Sequence, residues 1–357
     1  MLGGGIFVTQ NKTLPGSYIN FVNTARVTSN VNERGVVAIA LPIGKAPGTV
    51  IEVTKSDFYE RCDEVLGVKY TEDSVTALRE IFLHSDKVYV YDQGGDTDYT
   101  VSDALKALEP YEFNIVCAYT GESEDVASYI TGVIDWREDL GKKCQVVVYN
   151  QTGKNVDHEG VINVVSTVVL GENAETGVNI SDAHALVAWV AGAEAGCAIN
   201  KSCTNMIYDG ELEVVVNKTQ GELEDCIKNG QIVFHLVYGE IRLLEDINGL
   251  VTTTDDKGED FKSNQTIRVI DQIANDIAKL FNTKYLGSIP NNEAGRISLW
   301  GDIVAHHREL EAIQAIEGFD SALVKVEPGA NKKSVIVNDC VTVTNCMSQL
   351  YMTVVVQ

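Results

Sequence analysis

The chain has 357 residues, of which 45% are hydrophobic and 22% charged, and its formal net charge is −23. At about 150 residues per domain, this length predicts two to three domains with sizeable cores, and the composition excludes a disordered or collagen-like chain. So negative a protein is repelled by phosphate backbones and anionic lipid headgroups, which argues against general nucleic-acid binding and membrane docking.

The sequence predicts an unanchored protein with reduced cysteines. No apolar run approaches the ~20 residues that cross a bilayer, and the first residues lack the basic and apolar regions of a secretory signal. Without secretion, the eight cysteines are expected to stay reduced. The pairs Cys197/Cys203 and Cys340/Cys346 do not have the spacing of a zinc knuckle, so we predict no metal site and no cofactor.

The negative charge is concentrated in the middle of the chain. Residues 51–140 carry a net charge of −14 and residues 141–260 carry −11, whereas the net charge is +3 over 1–50 and −1 over 261–357. Because like charge keeps proteins apart, self-association meets least repulsion at the two ends. A larger solvated surface in the middle explains the pattern equally well, and both interpretations stay open.

The first 25 residues are predicted to form an extended arm. Three glycines, which resist any fixed conformation, precede β-prone residues and a turn at Pro15-Gly16. This segment has no apolar helical face that could pack on a domain.

Residues 26–200 alternate strand and helix signals, which predicts an α/β domain with an open sheet. Continuous apolar runs such as Val146-Val147-Val148 are typical of strands buried on both faces. The predicted strands are 36–41, 50–54, 87–91, 114–118, 145–149 and 161–170. The predicted helices are 74–84, 123–142 and 182–199.

Residues 201–340 are predicted to form a second domain of the α+β class. Ser263 can cap its first long helix, and Gly318 is expected to end the second. A short helix is also predicted at 222–228. The predicted strands are 211–216, 231–237, 240–244, 322–326 and 334–337.

Residues 341–357 are predicted to be a C-terminal strand arm. The last nine residues are uncharged and β-prone, and no turn follows them. Such a strand is an aggregation hazard unless something pairs with it. Pairing within its own domain is the simpler interpretation, and pairing with a neighbouring subunit is the more specific one.

Catalytic patterns are scarce. The sequence has neither a P-loop nor a nucleophile elbow. The acidic glycine loop from Asp92 to Asp98 follows a predicted strand, where an α/β sheet can bind a ligand or cation. It lacks a bidentate glutamate at the expected place, so we favour a solvated turn. Adjacent His306 and His307 face different sides of a helix, so we expect one at the edge of the core and the other in solvent.

Short motifs in a consistent order carry a resemblance across nearly the whole chain. They are PGSYINF at 15–21, ERGVVAIALP at 33–42, WVAGAEAG at 189–196, DINGL at 246–250, RVIDQIANDI at 268–277, NEAGR at 292–296 and LYMTVVV at 350–356. With these motifs the chain resembles the contractile tail sheath proteins of myophages, defective prophages and phage-tail-like bacteriocins.

The resemblance implies a structural, non-enzymatic subunit. It implies an outer α/β domain of subtilisin-like topology and an inner C-terminal domain, and no Asp/His/Ser set here can be placed on a protease motif. Subunits are expected to stack as hexameric rings around a tail tube and to contract, driving the tube through a target envelope. The expected partners are other copies of the chain, the tail tube protein, and baseplate and sheath terminator proteins. The expected location is a virion or phage-tail-like particle made in the bacterial cytoplasm.

The resemblance also implies that neighbours exchange strands through their arms. Residues 17–30 and 338–348 are the expected hinges. The expected assembly residues are Tyr18, Ile19, Phe21, Val22, Leu350, Tyr351, Met352, Val354 and Val356. The candidate tube contacts are Lys284, Arg296 and Arg308.

Two alternatives remain at this stage. One is a small-molecule α/β enzyme that uses the loop from Asp92 to Asp98. The other is a different self-assembling shell or tube protein.

Overall fold

The chain is described here from a computed structural model, which covers residues 34–94, 99–151, 156–172, 179–180 and 182–356. The predicted N-terminal arm, with Tyr18, Ile19, Phe21 and Val22, lies outside these residues. Two units pack against each other, an α/β unit over 34–250 and a C-terminal unit over 263–346. Among the described residues, no helix is long and apolar enough to span a membrane.

Fifteen strands and eight α-helices are found in the described residues. The strands are β1 (Val36–Leu41), β2 (Val50–Thr54), β3 (Lys87–Asp92), β4 (Ile115–Cys117), β5 (Gln145–Tyr149), β6 (Val161–Val164), β7 (Gly171–Glu172), β8 (Asn179–Ile180), β9 (Gln231–Ile232), β10 (Phe234–Val237), β11 (Glu240–Leu243), β12 (Ile316–Glu317), β13 (Lys325–Pro328), β14 (Val335–Asn338) and β15 (Thr342–Val343). The helices are α1 (Lys55–Leu66), α2 (Thr76–Phe82), α3 (Val101–Leu108), α4 (Ser123–Glu138), α5 (Leu186–Gly196), α6 (Gln220–Lys228), α7 (Asn264–Leu280) and α8 (Glu293–Ala312).

The α/β unit is built on a seven-stranded sheet in the order β2-β3-β1-β4-β5-β6-β9. Edge strand β2 is antiparallel to β3, and the other pairs are parallel. Side chains of β1 alternate between two cores, with Val37 and Ile39 facing α1, α2 and α5, and Ala38 facing α3 and α4. Burial on both faces is why the strands read as continuous apolar runs, and the predicted α/β class is confirmed.

Several predicted elements differ from the structure. Helices α1 and α3 were not predicted, although each begins with a side-chain cap, from Thr54 and Thr100 respectively. The predicted strand 161–170 ends at Val164, and the predicted strand 211–216 makes only one bridge, between Val168 and Val214. Beyond this bridge, no described strand pairs with these residues, so strand propensity alone did not extend them into strands.

The large sheet and its core extend past residue 200. Strand β9 pairs with β6 at the edge of the sheet. Leu212, Phe234 and Ile247 belong to the same buried cluster as β1. The C-terminal unit therefore begins, in the structure, only with the helix that follows Ser263.

The C-terminal unit is organised around α7 and α8. Leu280, Leu299 and Ile303 form one buried cluster, and Val269, Leu310 and Ile316 belong to a second. Helix α8 ends at Ala312, where the left-handed Gln314 (φ 62°) stops it. The prediction that Gly318 ends this helix is wrong, because Gly318 (φ 60°) lies after β12.

Helix α7 joins the two units through buried ion pairs. Nη2 of Arg268 donates to Glu194 Oε2 at 2.6 Å and to Asp246 Oδ2 at 3.2 Å. Three residues along α7, Asp271 accepts two hydrogen bonds from Arg137 of α4, at 2.5 and 2.9 Å. Helix α7 thus presents a cation to the α/β unit at one position and an anion at the next turn.

The two carboxylates of the Arg268 cluster have opposite pKa shifts. Burial, and then the charge of Asp246, raise the pKa of Glu194 well above its usual range. Burial alone would raise the pKa of Asp246, but the charge of Arg268 holds it below its ordinary value. Arg268 therefore favours the charged form of Asp246, whereas burial favours the neutral form of Glu194.

Replacing Arg268 should test this junction. We expect Arg268→Met to lower the free energy of unfolding by about 3–5 kcal/mol, since it leaves a buried carboxylate without its cation. The exposed Arg308 provides a matched control, and Arg308→Met should change this free energy by less than about 0.5 kcal/mol. Urea unfolding of both variants at pH 7 gives the comparison, and a loss below about 1 kcal/mol for Arg268→Met contradicts the role assigned to Arg268.

Candidate assembly interface

The last described residues extend away from the body of the protein. Leu350 is 86% exposed, Tyr351 88% and Val356 90%. Residues 347–356 belong to no helix or strand pair among the described parts of the chain. Among the described residues, this segment therefore pairs with no strand of its own domain.

This segment, which we call the free arm (347–356), leaves an unusual amount of apolar surface in water. Burial of one large apolar side chain is worth about 1.5–3 kcal/mol, so covering the arm would recover on the order of 10 kcal/mol. Its exposed apolar side chains are Met347, Leu350, Tyr351, Met352, Val354, Val355 and Val356. An uncovered β-prone segment is a template for pairing with another chain.

The segment before the free arm is firmly attached. Strand β15 pairs with β12, and Gln265 of α7 donates to the carbonyl oxygen of Thr344 at 3.1 Å. The amide of Cys346 donates to Gln265 Oε1 at 2.9 Å, and Asn345 donates to Thr266 Oγ1 at 3.2 Å. Much of the stretch 338–348, expected to be a hinge, is thus bound to α7 and β12.

The C-terminal unit also contains an unfinished sheet. Strands β13 and β14 pair only with each other among the described strands. Their hairpin packs on α8 through Val324, Val326 and Val335, while Ile336 and Val337 remain exposed. Two-stranded hairpins are only marginally stable by themselves. The unit therefore contains an exposed β-prone segment, the free arm, and a hairpin to which a further strand could be added.

The three candidate tube contacts lie apart from one another. Lys284, in the turn after α7, pairs with Asp302 at 2.5 Å. Arg296, in the first turn of α8, donates to Asn291 Oδ1 at 3.1 Å. Exposed Arg308 lies twelve residues further along α8, or ~18 Å at the rise of an α-helix. A tube contact through these residues stays a prediction.

His306 and His307 are both fully buried, so the expectation that one lies in solvent is wrong. Nε2 of His306 lies 2.9 Å from Asp276 Oδ2, and Nε2 of His307 lies 2.5 Å from Asp339 Oδ2. Helix α8 is covered on two sides, by α7 and by the segment after β14. Each ring therefore faces a carboxylate rather than water.

Asp92 has a structural role at the end of β3. Its carboxylate accepts from the amides of Gly44, Ala46 and Gly94 at 2.7, 2.6 and 2.8 Å. Burial tends to raise the pKa of Asp92, but these amides hold it below its ordinary value. Both oxygens serve the loops around them, while Asp96 and Asp98 lie outside the described residues.

Three potential metal ligands, Glu194, Cys203 and Asp246, come within 4.8 Å of one another. Nη2 of Arg268 already lies among them, 3.9 Å from Cys203 Sγ, and supplies the positive charge that an ion would bring. Sequence reasoning missed this cluster because its members come from four separate segments.

Comparison with known proteins identifies both units. The family model for the phage tail sheath protein central domain matches residues 94–249, and the model for the phage tail sheath C-terminal domain matches 256–357. The phage-like element PBSX protein XkdK of Bacillus subtilis is 31% identical over 235 residues, which cover 63% of this chain and 48% of that protein. A tail sheath protein of Clostridium phage phiCD119 is 28% identical over 194 residues, 54% of this chain and 52% of that protein. The chain spans about half the length of these curated relatives.

Solved structures share the fold over most of the chain. A sheath tail protein of Listeria innocua matches with a TM-score of 0.77 at 22% identity, covering 88% of this chain and 93% of that one. One from Desulfitobacterium hafniense matches with a TM-score of 0.74 at 22% identity, covering 92% and 100%. The contracted helical sheath of the anti-feeding prophage matches with a TM-score of 0.70 at 14% identity, covering 96% and 99%.

Fold and domain order define a structural subunit of the tail-sheath type. The chain belongs to the phage tail sheath protein family, so the resemblance seen in the sequence motifs is confirmed.

Hydrogen exchange should locate the start of the free arm. In the unassembled chain at pH 7, we expect amides of 347–356 to exchange at nearly unprotected rates, because no pairing holds them. Amides of β12 and β15 should exchange at least tenfold more slowly. Protection of 347–356 in the single chain would mean that the arm has an intramolecular partner.

Proposed function

We propose that this protein is the subunit of a contractile tail sheath, which polymerises around a tail tube by exchanging strands between neighbours. The observation that carries the proposal is the free arm, an exposed apolar segment in the same unit as a hairpin whose outer edges pair with no other described strand. Membership of the sheath family supports it, since both family domains are present.

The free arm of one subunit would add a strand to the β13–β14 hairpin of the next. Ten extended residues reach ~33 Å, enough to cross to an adjacent subunit. Backbone hydrogen bonds would supply affinity, and alternate side chains would fill the surface left exposed at Ile336 and Val337. Tyr18, Ile19, Phe21 and Val22 of the N-terminal arm would complete the exchange, and they remain a prediction.

Donated strands explain how a sheath can change shape without falling apart. A head-to-tail contact that does not close generates a helix of subunits. Hexameric rings stacked in this way could be trapped kinetically in an extended form whose free energy is higher than that of a more compact form. On contraction, subunits would rotate about short hinges while the exchanged strands stay paired. Because Thr344 and Cys346 are bound to Gln265, the hinge of the free arm would be residues 347–348.

The charge distribution supports an outward α/β unit and an inward C-terminal unit. Residues 261–357 have a net charge of −1, so copies of this unit can approach one another, whereas the acidic region over 51–260 favours solvent. Tube contact would fall to the inner unit. Arg308 is the best placed of the three candidates, because Lys284 already has a carboxylate partner.

The wider setting follows the same proposal. The subunit would act in a virion or phage-tail-like particle made in a bacterial cytoplasm, together with a tube protein, a baseplate and a sheath terminator. Asp92 does not support the enzyme alternative, since its buried carboxylate is engaged by three backbone amides.

Deletion of residues 349–357 tests strand exchange. The truncated chain should stay folded, with an unfolding midpoint in urea like that of the full chain, because the described residues of this stretch are largely exposed. It should form no tubes under conditions in which the full chain does, as seen by electron microscopy. Two full-length variants provide a matched pair, with Val354→Asp expected to block tubes and Val354→Ile to preserve them. Regular tubes from the truncated chain would overturn strand exchange.

Charge reversal tests the tube contact. We expect Arg308→Glu to weaken binding to the isolated tail tube at least fivefold at low salt, with Arg296→Glu and Lys284→Glu having smaller effects. The difference should vanish near 1 M salt, where the Debye length is about 3 Å. Lys228→Glu, on exposed α6, is the control for net charge alone. If none of the three reversals weakens binding more than the control, these residues do not form the contact.

A further inference from the structure

Two thiols meet where α5 ends, beside the junction of the two units. The amide of Cys197 donates to the carbonyl oxygen of Ala193 at 2.9 Å, which closes the last turn of α5. Sγ of Cys203 lies 3.6 Å from the same carbonyl oxygen, and the Cys203 thiol donates a hydrogen bond to the sulfur of Cys197. The fold therefore brings these two sulfur atoms within hydrogen-bonding reach of each other.

The two thiols differ in their access to solvent. Cys203 is fully buried, whereas Cys197 is half-buried. A reagent in solution therefore reaches Cys197 first, and Cys203 then lies beside whatever group Cys197 has acquired. An accessible thiol next to a second, resolving thiol is the arrangement found in redox-sensing cysteine pairs.

The surroundings of Cys197 favour its thiolate, which is the reactive form of a cysteine. The hydrogen bond from Cys203 is the largest influence on the pKa of Cys197 and lowers it. The charges of Arg268 and Arg34 also lower this pKa, and together they outweigh burial and the charge of Asp246. Nη2 of Arg268 lies 3.9 Å from Sγ of Cys203 as well, where its charge would stabilise that sulfur once its proton has left.

We propose that Cys197 and Cys203 are a redox-active thiol pair, which a small disulfide in solution converts into an intramolecular disulfide bond. The thiolate of Cys197 attacks one sulfur of the small disulfide, so that a mixed disulfide forms and one small thiolate leaves. Cys203 then loses its proton and attacks the sulfur of Cys197, which expels the second small thiolate. The protein loses two electrons and two protons, and the small disulfide gains them and becomes two thiols.

The disulfide bond would strengthen the junction that holds α7. The amide of Cys203 donates to Asp246 Oδ2 at 2.9 Å, and Nη1 of Arg268 donates to the carbonyl oxygen of Lys201 at 2.8 Å. A covalent link between α5 and this segment restricts the unfolded chain and preserves these contacts in the folded one. Under the proposed function, a particle released from the reducing bacterial cytoplasm would meet the oxidant outside, but the thiol pair itself does not depend on that function.

The chain contains a second cysteine pair with the same spacing. Cys340 and Cys346 also lie six residues apart, and both are exposed. Among the contacts of the described residues, no hydrogen bond joins these two thiols, and Sγ of Cys346 instead lies 3.8 Å from the carbonyl oxygen of Asn200. If spacing and exposure decided reactivity, this pair would be oxidised first. If contact between the sulfur atoms decides it, Cys197 and Cys203 are oxidised first.

Oxidation of the reduced, unassembled full chain by glutathione disulfide at pH 7 tests the proposal. We expect the bond between Cys197 and Cys203 to form at least tenfold faster than any bond between Cys340 and Cys346. Mass spectrometry after digestion with trypsin distinguishes the two, because cleavage after Lys201 separates the first two cysteines unless a disulfide joins their peptides. Equal rates for the two pairs, or no bond between Cys197 and Cys203, would overturn the proposal.

Substitutions test the order of the two steps. Cys203→Ala should accumulate a glutathione adduct on Cys197, because the resolving thiol is missing. Cys197→Ser should form no adduct on the buried Cys203. Cys340→Ser is the control and should form the disulfide bond at the rate of the unaltered chain. An adduct on Cys203 in Cys197→Ser, or none on Cys197 in Cys203→Ala, would refute the assigned roles.

Urea unfolding tests the effect on the junction. We expect the oxidised chain to unfold at a midpoint about 0.5 M higher in urea than the reduced chain, because the link restrains the unfolded state. Cys197→Ser should show the same midpoint under oxidising and reducing conditions, whereas Cys340→Ser should keep the difference. An unchanged or lower midpoint after oxidation would refute the strengthening of the junction.

Discussion

The buried guanidinium of Arg268 is the contact on which the arrangement of the two units depends. It places a cation from the C-terminal unit between Glu194 and Asp246 of the α/β unit, while Arg137 and Asp271 make a second pair of opposite polarity. Removing Arg268, or either member of the Arg137–Asp271 pair, would leave an uncompensated charge in the interior, which is among the costliest changes a core can undergo. The two units are therefore held in one orientation.

The junction is rigid, whereas the free arm and the β13–β14 hairpin of the C-terminal unit lack strand partners among the described residues. The free arm exposes apolar side chains that the rest of the described chain does not cover, and the β13–β14 hairpin has edges that no other described strand pairs with. Each deficiency is of the kind that the other would satisfy in a second copy. A monomer built this way gains most of its missing burial by polymerising, which is the physical basis of the proposed sheath.

Helix α7 connects these two properties. Its first half carries Arg268 and Asp271 into the α/β unit, and Gln265 holds the chain at Thr344 and Cys346. Its second half carries Asp276, whose carboxylate lies 2.9 Å from Nε2 of the buried His306 of α8. Movement of α7 relative to α8 would therefore disturb both the junction and the base of the arm.

The sequence by itself determined the α/β class and the main strands, because apolar runs such as Val36–Leu41 are buried on both faces and need no partner to be recognised. It also predicted a C-terminal arm, because residues 349–357 are uncharged and β-prone. It could have indicated α3 as well, through the capping pair Thr100 and Asp103. Only the tertiary structure decided where the free arm begins, that both His306 and His307 are buried, and that Arg268 lies among three potential metal ligands. Those outcomes depend on residues far apart in the chain meeting in space, which no local pattern records.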